Sequence, residues 1–225
     1  MPFKLLAKHA TDLLDVEALL FGQSGLLMEV ELLDEYTKEL QKRYHFLKYK
    51  YNLTPLEIHR WKFLRMRPAN FPTIRLAQFA MLIHQRKSFF TTFITLKTVK
   101  ELQKSLQSSA SDYWHTHYNF GKIAAKKMGT LGNDGITNLI INVIAPLLTA
   151  YSLQKDTEKY IEKAIQLIEE LPAESNKITE LWATVGLPIK NAFDTQASIE
   201  LYNEYCTKKA LPCLSDRNLC VSVIC

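Results

Sequence analysis

Hydrophobic residues recur along most of the chain at spacings of three and four, the period of amphipathic helices rather than of strands. Leucine pairs at this spacing predict the first helix over residues 2–22. A strand-like run over residues 88–95 stands alone and cannot build a sheet. The other predicted helices cover residues 34–50, 54–61, 74–85, 99–106, 136–152, 157–171, 175–185 and 195–209. The pattern predicts an all-α fold, a single irregular domain over residues 1–225 with eight or nine helices.

Two segments are apolar on nearly every face, residues 74–83 and residues 136–150. A helix of this kind is buried, because at the surface it would expose a large apolar patch. We therefore predict that these two helices are the most buried in the protein and touch each other. Pro146 predicts a kink in the second helix, since proline removes a helical hydrogen bond.

The positive charge is concentrated in one part of the chain. Residues 1–130 carry 20 Lys and Arg against 11 Asp and Glu, whereas residues 131–225 carry 8 against 12. Within residues 42–104 the count is 14 basic residues against 2 acidic ones. Such a segment can recruit polyanions, nucleic acid above all, through phosphate contacts and counterion release. The alternative is a solvated surface whose lysines serve solubility.

A proline-rich loop before the helix at residues 74–83 concentrates this charge. Its candidate anion-binding residues are Arg65, Arg67, Asn70 and Arg75. Arginines beside a helix N-terminus can hold a phosphate or a carboxylate. The alternative is that the arginines are internal struts that bond loop carbonyls or nearby carboxylates.

Asp112, His115 and His117 form the one compact group of metal-type ligands in the sequence. Two histidines without a further cysteine or carboxylate cluster are weak evidence for a metal, so we expect neither a metal nor a cofactor. The sequence has no motif with a Ser/His/Asp order, no P-loop and no glycine-rich nucleotide fingerprint. A metal-dependent hydrolase built on these three residues is the least favoured reading, and we expect the chain to be non-catalytic by itself.

The four cysteines all fall in the last twenty residues, and none has the spacing of a zinc site. No run approaches the roughly 20 apolar residues of a membrane span, and the N-terminus lacks a signal-peptide pattern. We therefore expect a cytoplasmic protein without membrane contact, whose cysteines are free thiols. The tail over residues 207–225 is a candidate for disorder.

Several stretches together resemble the C-terminal half of an uncharacterised bacterial family, the domain of unknown function family 2851. The arginine-proline loop is the most specific of them. The matching stretches are Glu17–Leu27, Trp61–Ala80, Tyr113-Trp114 with His117-Tyr118 and Phe120, Ile141-Asn142 with Pro146 and Tyr151, Leu171–Asn176, and Ala192–Ala197.

The resemblance implies a longer protein whose first half carries Glu-x-His and Ser-Asp-Trp elements that could be enzymatic. This chain begins where that half ends, which implies a fragment, a split gene product or a short form with the missing half as a partner. The tail after Cys206 departs from the family, in which we expect a tighter cysteine cluster. The resemblance implies no established activity. The sequence thus leaves open an accessory domain that contacts a polyanion and a structural or protein-interaction domain.

Overall fold

The computed structural model describes residues 2–28, 30, 34–86, 88–127, 129–184 and 186–207. Across these residues the fold consists of eleven helices and one two-stranded hairpin. The helices are α1 (Phe3–His9), α2 (Leu13–Gln23), α3 (Glu35–Tyr51), α4 (Pro72–Gln85), α5 (Phe89–Thr95), α6 (Val99–Leu106), α7 (Asp112–Thr116), α8 (Asn133–Gln154), α9 (Lys159–Glu169), α10 (Lys177–Thr184) and α11 (Ala192–Leu201). Strand β1 (His117–Asn119) pairs antiparallel with β2 (Lys122–Ile123).

The mainly helical prediction is confirmed, but the count of eight or nine is too low. The predicted helix over residues 2–22 is two helices, because the Asp12 side chain accepts the Asp15 N–H and starts α2 anew. The strand-like run at residues 88–95 is helix α5. Tertiary packing therefore overrides the β propensity of its Phe and Thr residues.

The chain divides into two compact units, residues 1–91 with 106–132 and residues 92–105 with 133–225. We call them unit 1 and unit 2 and describe each by itself. The single domain expected from the sequence stays a prediction, as does the contact between residues 74–83 and 136–150, which belong to different units.

Helix α2 packs against α3 and α4 at the centre of unit 1. Every residue from Val16 to Gly22 is buried. Gly22 is required here because a Cβ at this position would lie 2.1 Å from the ring of Tyr44 on α3. In α4, by contrast, Phe79 is 37% exposed. The expectation that the helices at residues 74–83 and 136–150 are the two most buried is therefore wrong, since α2 is buried more completely than either.

An aromatic cluster closes the other side of this core. The Phe21 ring stacks on the indole of Trp114 at a centroid distance of 5.1 Å, and Phe120 meets both rings edge to face. Trp114 belongs to α7, and Phe120 belongs to the turn between β1 and β2. The segment after Ser111 is far from α2 in the sequence, and these contacts hold it against α2.

Unit 2 is organised around α8, which packs against α9. Residues Ile140–Ile144 form a π-helical turn directly before Pro146, so one extra residue is accommodated where proline would disturb a regular helix. By length and composition α8 could cross a membrane, which the sequence analysis did not recognise. A partly buried core helix passes the same test, and Ile136, Ile140 and Ile144 are indeed buried.

Helices α9, α10 and α11 complete unit 2. The Lys163 ammonium group donates to the carbonyls of Phe93 and Ile94 at the end of α5, at 2.8 and 2.7 Å. The indole of Trp182 on α10 donates to the Ser198 carbonyl on α11. Helix α11 continues into a π-helical turn, Tyr202–Cys206.

Cys206 ends this turn as a buried, disulfide-bonded residue. The expectation of free thiols is therefore wrong at Cys206, because spacing alone does not reveal which cysteines fold against each other. Cys213, Cys220, Cys225 and the tail from residue 208 onward lie outside the described residues.

Candidate functional site

The arginine-proline loop joins two short 3₁₀ turns, Ile58–Arg60 and Pro68–Asn70, and leads into α4. Pro72 occupies the first turn of α4, where its missing N–H would have had no helical partner. Arg65 takes a left-handed backbone conformation, with φ at 61°. Arg65, Arg67 and Asn70 are all exposed. The sequence prediction of a loop ending at α4 is confirmed.

Arg75 is half-buried and binds two neutral side chains. Its guanidinium donates to the Asn70 Oδ1 atom at 2.8 Å and to the Gln78 Oε1 atom at 3.0 Å. The structure therefore brings Arg75 and Asn70 together, whereas the side chains of Arg65 and Arg67 make no hydrogen bond to another described residue. Burial lowers the pKa of Arg75, and no carboxylate of the described residues opposes that effect.

Arg43 on α3 behaves differently, although it belongs to the same basic segment of the chain. Its guanidinium forms ion pairs with Asp12, Asp15 and Glu39 at 2.7 to 2.8 Å. Hydrogen bonding to Glu39, above all, raises the pKa of Arg43. Within the described part of the chain, Arg65, Arg67 and Arg75 have no such carboxylate partner.

Partly exposed aromatic rings lie next to this loop. The ring of Phe71 meets Phe63 at a centroid distance of 5.1 Å and Tyr118 at 5.6 Å, in both cases edge to face. The Thr73 hydroxyl donates to the Tyr118 carbonyl at 2.7 Å and ties β1 to the start of α4. The loop thus combines unpaired cations with aromatic surfaces.

The three weak metal candidates separate into two places. The His115 Nδ1 atom lies 3.6 Å from the exposed Asp112 carboxylate. The ring of His117, on β1, instead stacks on Tyr113 at 4.0 Å, and its Nδ1 atom lies 3.0 Å from the Tyr113 carbonyl oxygen. In the described ranges, no group of three or more His, Cys, Asp and Glu residues is arranged to hold a metal.

A buried carboxyl group that the sequence analysis missed lies in the core of unit 1. Glu17 on α2 has no exposed surface, and its Oε1 atom accepts a hydrogen bond from the Ser111 hydroxyl at 2.7 Å. The Oε2 atom has no hydrogen-bond partner among the described residues. The Tyr36 hydroxyl approaches the carboxyl group without a hydrogen bond of normal geometry, and it accepts the indole N–H of Trp114 at 2.9 Å.

This environment favours the neutral acid. Burial raises the pKa of Glu17 to about 7, although the hydroxyl groups of Ser111 and Tyr36 and the nearby His84 partly oppose the rise. The carboxyl group is therefore divided between its two protonation states near neutral pH. The signal in the sequence was Glu17, the single acidic residue in the apolar run of residues 16–22. Such a residue is a buried polar group only if its face of the helix points to the core.

A partly buried hydrogen-bond network runs from Asp34 to the hairpin. The Tyr113 hydroxyl donates to the Asp34 Oδ2 atom at 2.5 Å and accepts the Gly121 N–H at 2.9 Å. The rings of Tyr36, Tyr113 and His117 stack in that order, with both centroid distances at 4.0 Å. Asp34 also caps α3 by accepting the Thr37 N–H. Burial alone would raise the pKa of Asp34, but the hydrogen bonds from Tyr113 and Thr37 lower it overall.

Comparison with known proteins adds one match. A family model described as "Protein of unknown function (DUF2851)" matches residues 1–177, a range that includes the loop, Glu17 and the aromatic cluster. No curated protein and no solved structure matches the chain. The resemblance found in the sequence is thereby confirmed at the level of the family. The correspondence to a C-terminal half and the bacterial source stay predictions.

Proposed function

This chain belongs to the DUF2851 family of proteins of unknown function, and we propose that it is a helical accessory domain whose arginine-proline loop contacts a polyanion. Nucleic acid is the polyanion that we favour. In this proposal the arginine-proline loop binds and positions the nucleic acid without acting on it, and a separate polypeptide or domain supplies any enzymatic step on that nucleic acid. We place the protein in the cytoplasm, away from membranes.

The observation that supports the proposal is that no carboxylate in the described part of the chain pairs with Arg65, Arg67 or Arg75. Arg43 shows that this fold can surround an arginine with three carboxylates where charge is neutralised internally. Arg65 and Arg67 are exposed instead, and Arg75 binds only amide oxygens. Their combined positive charge is therefore available to an external anion, and arginine suits phosphate because its planar group binds two oxygens at once.

The aromatic rings beside the loop favour nucleic acid over other polyanions. Phe63, Phe71 and Tyr118 are each partly exposed. Nucleobases stack on such rings, whereas heparin-like sugars and acidic peptides offer no comparable flat surface. Cations that track phosphates, together with rings that accept bases, are the usual components of a surface for single-stranded nucleic acid.

The test measures binding of a fluorescein-labelled single-stranded 20-mer by fluorescence anisotropy at salt concentrations between 50 and 200 mM. Poly-glutamate serves as a competitor that is a polyanion but not a nucleic acid. We expect affinity to fall steeply with salt, and Arg67→Gln to reduce the slope of log K against log salt by about one phosphate contact. The matched control is Arg86→Gln, which removes an exposed arginine at the other end of α4. Binding that is absent, or that Arg67→Gln leaves unchanged, would contradict the proposal.

The second candidate is a structural or protein-interaction domain in which the arginines are internal struts. The bonds from Arg75 to Asn70 and Gln78 favour it, because they join the loop to α4. This candidate requires that Arg75→Met lower stability and that no loop substitution affect oligonucleotide binding. A metal-dependent hydrolase ranks last, since only Asp112 and His115 of its three residues lie together.

A further inference from the structure

A serine and a histidine outside the arginine-proline loop meet at hydrogen-bond distance. The Ser109 Oγ atom lies 2.7 Å from the His115 Nε2 atom, and the opposite ring nitrogen, Nδ1, lies 3.6 Å from the Asp112 Oδ1 atom. We infer that Ser109 is an activated nucleophile, with His115 as its general base, in an acyl-transfer site that accepts small activated esters. This inference is independent of the proposed binding of nucleic acid.

The backbone holds Ser109 on both sides. Ser109 pairs with Thr130 in an isolated antiparallel bridge. The Ala110 N–H donates to the Gly129 carbonyl at 2.8 Å, and the Leu131 N–H donates to the Ser108 carbonyl at 2.9 Å. A nucleophile fixed in this way needs little reorganisation before it reacts, which is the main benefit of a preorganised site.

The His115 ring is held by a close approach of Gly129. A Cβ at position 129 would lie 3.0 Å from the His115 Cδ2 atom, and the backbone there has φ at 90°, a conformation that suits glycine. The exposed Asp112 carboxylate lies 3.6 Å from Nδ1, beyond hydrogen-bond distance, but its negative charge favours the tautomer with the proton on Nδ1. That tautomer leaves the lone pair of Nε2 directed at the serine hydroxyl, as a general base requires. Asp112 is thus a positioning residue, because it acts on the tautomer of the His115 ring and does not contact the reacting atoms.

The reaction balances without a cofactor. The Ser109 oxygen forms a bond to the acyl carbon of an ester while its proton passes to His115 Nε2. The bond from that carbon to the leaving alcohol breaks, and His115 returns the proton to the alcohol. Water then attacks the acyl-serine by the same route, which releases the carboxylic acid and restores the hydroxyl group.

The surroundings limit the substrate to small esters with good leaving groups. Ser109 and His115 are both partly exposed, so a small molecule can reach them. The bridge bonds use the Ala110 N–H and the Ser108 carbonyl rather than the Ser109 N–H, so the Ser109 N–H is the group assigned to the oxyanion that forms during attack. The Ser-His-Asp arrangement is local, since Asp112 and His115 lie three residues apart on α7 and Ser109 precedes that helix. No known motif in the sequence marks it.

The test uses the full chain and a fluorophosphonate probe, which forms an Oγ–P bond at an activated serine and releases fluoride. We expect one label per chain, located at Ser109 by peptide mass spectrometry. Ser109→Ala should abolish the label, and His115→Gln should slow labelling by roughly 100-fold, the lower range for loss of a general base. The matched control is Ser108→Ala, which removes the neighbouring buried hydroxyl and should leave labelling unchanged.

Thermal melting of each variant shows whether slower labelling comes from loss of the His115 base or from loss of the fold. Labelling of the urea-unfolded protein gives the labelling rate of a serine that is not activated. Labelling of Ser109 in the folded protein at that unactivated rate would overturn the inference. So would a folded His115→Gln variant that labels as fast as the natural sequence. With p-nitrophenyl acetate as substrate, we expect the acetyl group to appear on the protein and then to be lost slowly by deacylation. Intact mass spectrometry measures the amount of acetylated protein over time.

Discussion

The Ser111 hydroxyl donates to the Glu17 carboxyl group over 2.7 Å, although the two residues lie 94 positions apart in the sequence. Ser111 precedes α7 and Glu17 lies in the middle of α2, so this single bond anchors the aromatic segment to the central helix. The second carboxyl oxygen, Oε2, lacks a partner among the described residues. A buried acid of this kind couples the stability of unit 1 to pH.

Glu17→Gln should change how stability depends on pH. The folded pKa of about 7 exceeds the ordinary value of 4.5, so the folded state holds the proton more tightly than the unfolded state does. This contribution to stability is complete below pH 4.5 and is lost as pH rises through 7, by roughly 3 kcal/mol in total. We expect Glu17→Gln to be more stable than the natural sequence at pH 8 and equal to it at pH 4.5.

Urea denaturation at the two pH values measures this difference, with Glu35→Gln as the control for loss of an exposed carboxylate in the same unit. Equal effects of Glu17→Gln at both pH values would contradict the raised pKa.

Arg75→Met tests whether this arginine also supports the fold. The substitution leaves the Asn70 and Gln78 amide oxygens without their donor, and Gln78 is buried. Because these partners are neutral, the free energy of unfolding should fall by about 1–3 kcal/mol, less than it would if a buried charge were left without its ion-pair partner. Thermal denaturation should show a lower Tm, while Arg67→Met should leave Tm unchanged or raise it by relieving repulsion between like charges. An unchanged Tm for Arg75→Met would mean that Arg75 is no strut.

Gly25→Ala should destabilise unit 1 strongly. Gly25 has φ at 80°, and a Cβ there would lie 2.2 Å from the Leu56 carbonyl oxygen. That carbonyl cannot move freely, since the Leu56 N–H is bound to the Gln23 carbonyl at 2.8 Å. We expect a loss of more than about 3 kcal/mol in the free energy of unfolding. Gly186→Ala is the matched comparison, because its φ is 82° but the space around it is open. It should cost only the conformational term, about 1–2 kcal/mol.

Tyr113→Phe should weaken the link between Asp34 and the hairpin. It removes the donor to Asp34 and the acceptor of the Gly121 N–H, with an expected cost of about 1.5–3 kcal/mol at pH 7. The lowered pKa of Asp34 stabilises the fold above pH 3.8, and this part is lost as pH falls through the folded pKa. The difference between variant and natural sequence should therefore shrink at pH 3. Tyr118→Phe, whose hydroxyl has no recorded hydrogen bond in the described region, is the control in chemical denaturation at both pH values.

Local chemistry made most helix boundaries predictable. Asp34 accepts the Thr37 N–H at the start of α3, and Asn52 ends that helix in a left-handed conformation, as the sequence suggested. Pro72 likewise begins α4 where expected. These signals depend on interactions within a few residues, so they can be identified in the sequence without knowledge of the rest of the fold. Residues 89–95 do have a local signal, since the Ser88 hydroxyl oxygen accepts the Thr91 N–H at 3.4 Å, but the strand-like Phe and Thr side chains masked it.

The sequence by itself determined the helical class, the family and the position of the basic loop, because periodicity, capping and charge are properties of neighbouring residues. Only the tertiary structure decided which charges are neutralised, since Arg43 meets Asp12 and Asp15 from another helix while Arg75 meets amides. The structure also shows the pairing of Ser109 with His115 and the burial of Glu17 beside Ser111. The contact between Glu17 and Ser111 depends on how distant segments pack, whereas Ser109 and His115 are brought together by the local turn into α7. Burial sets the pKa of a carboxyl group and the partners of an arginine, and burial is a property of tertiary packing.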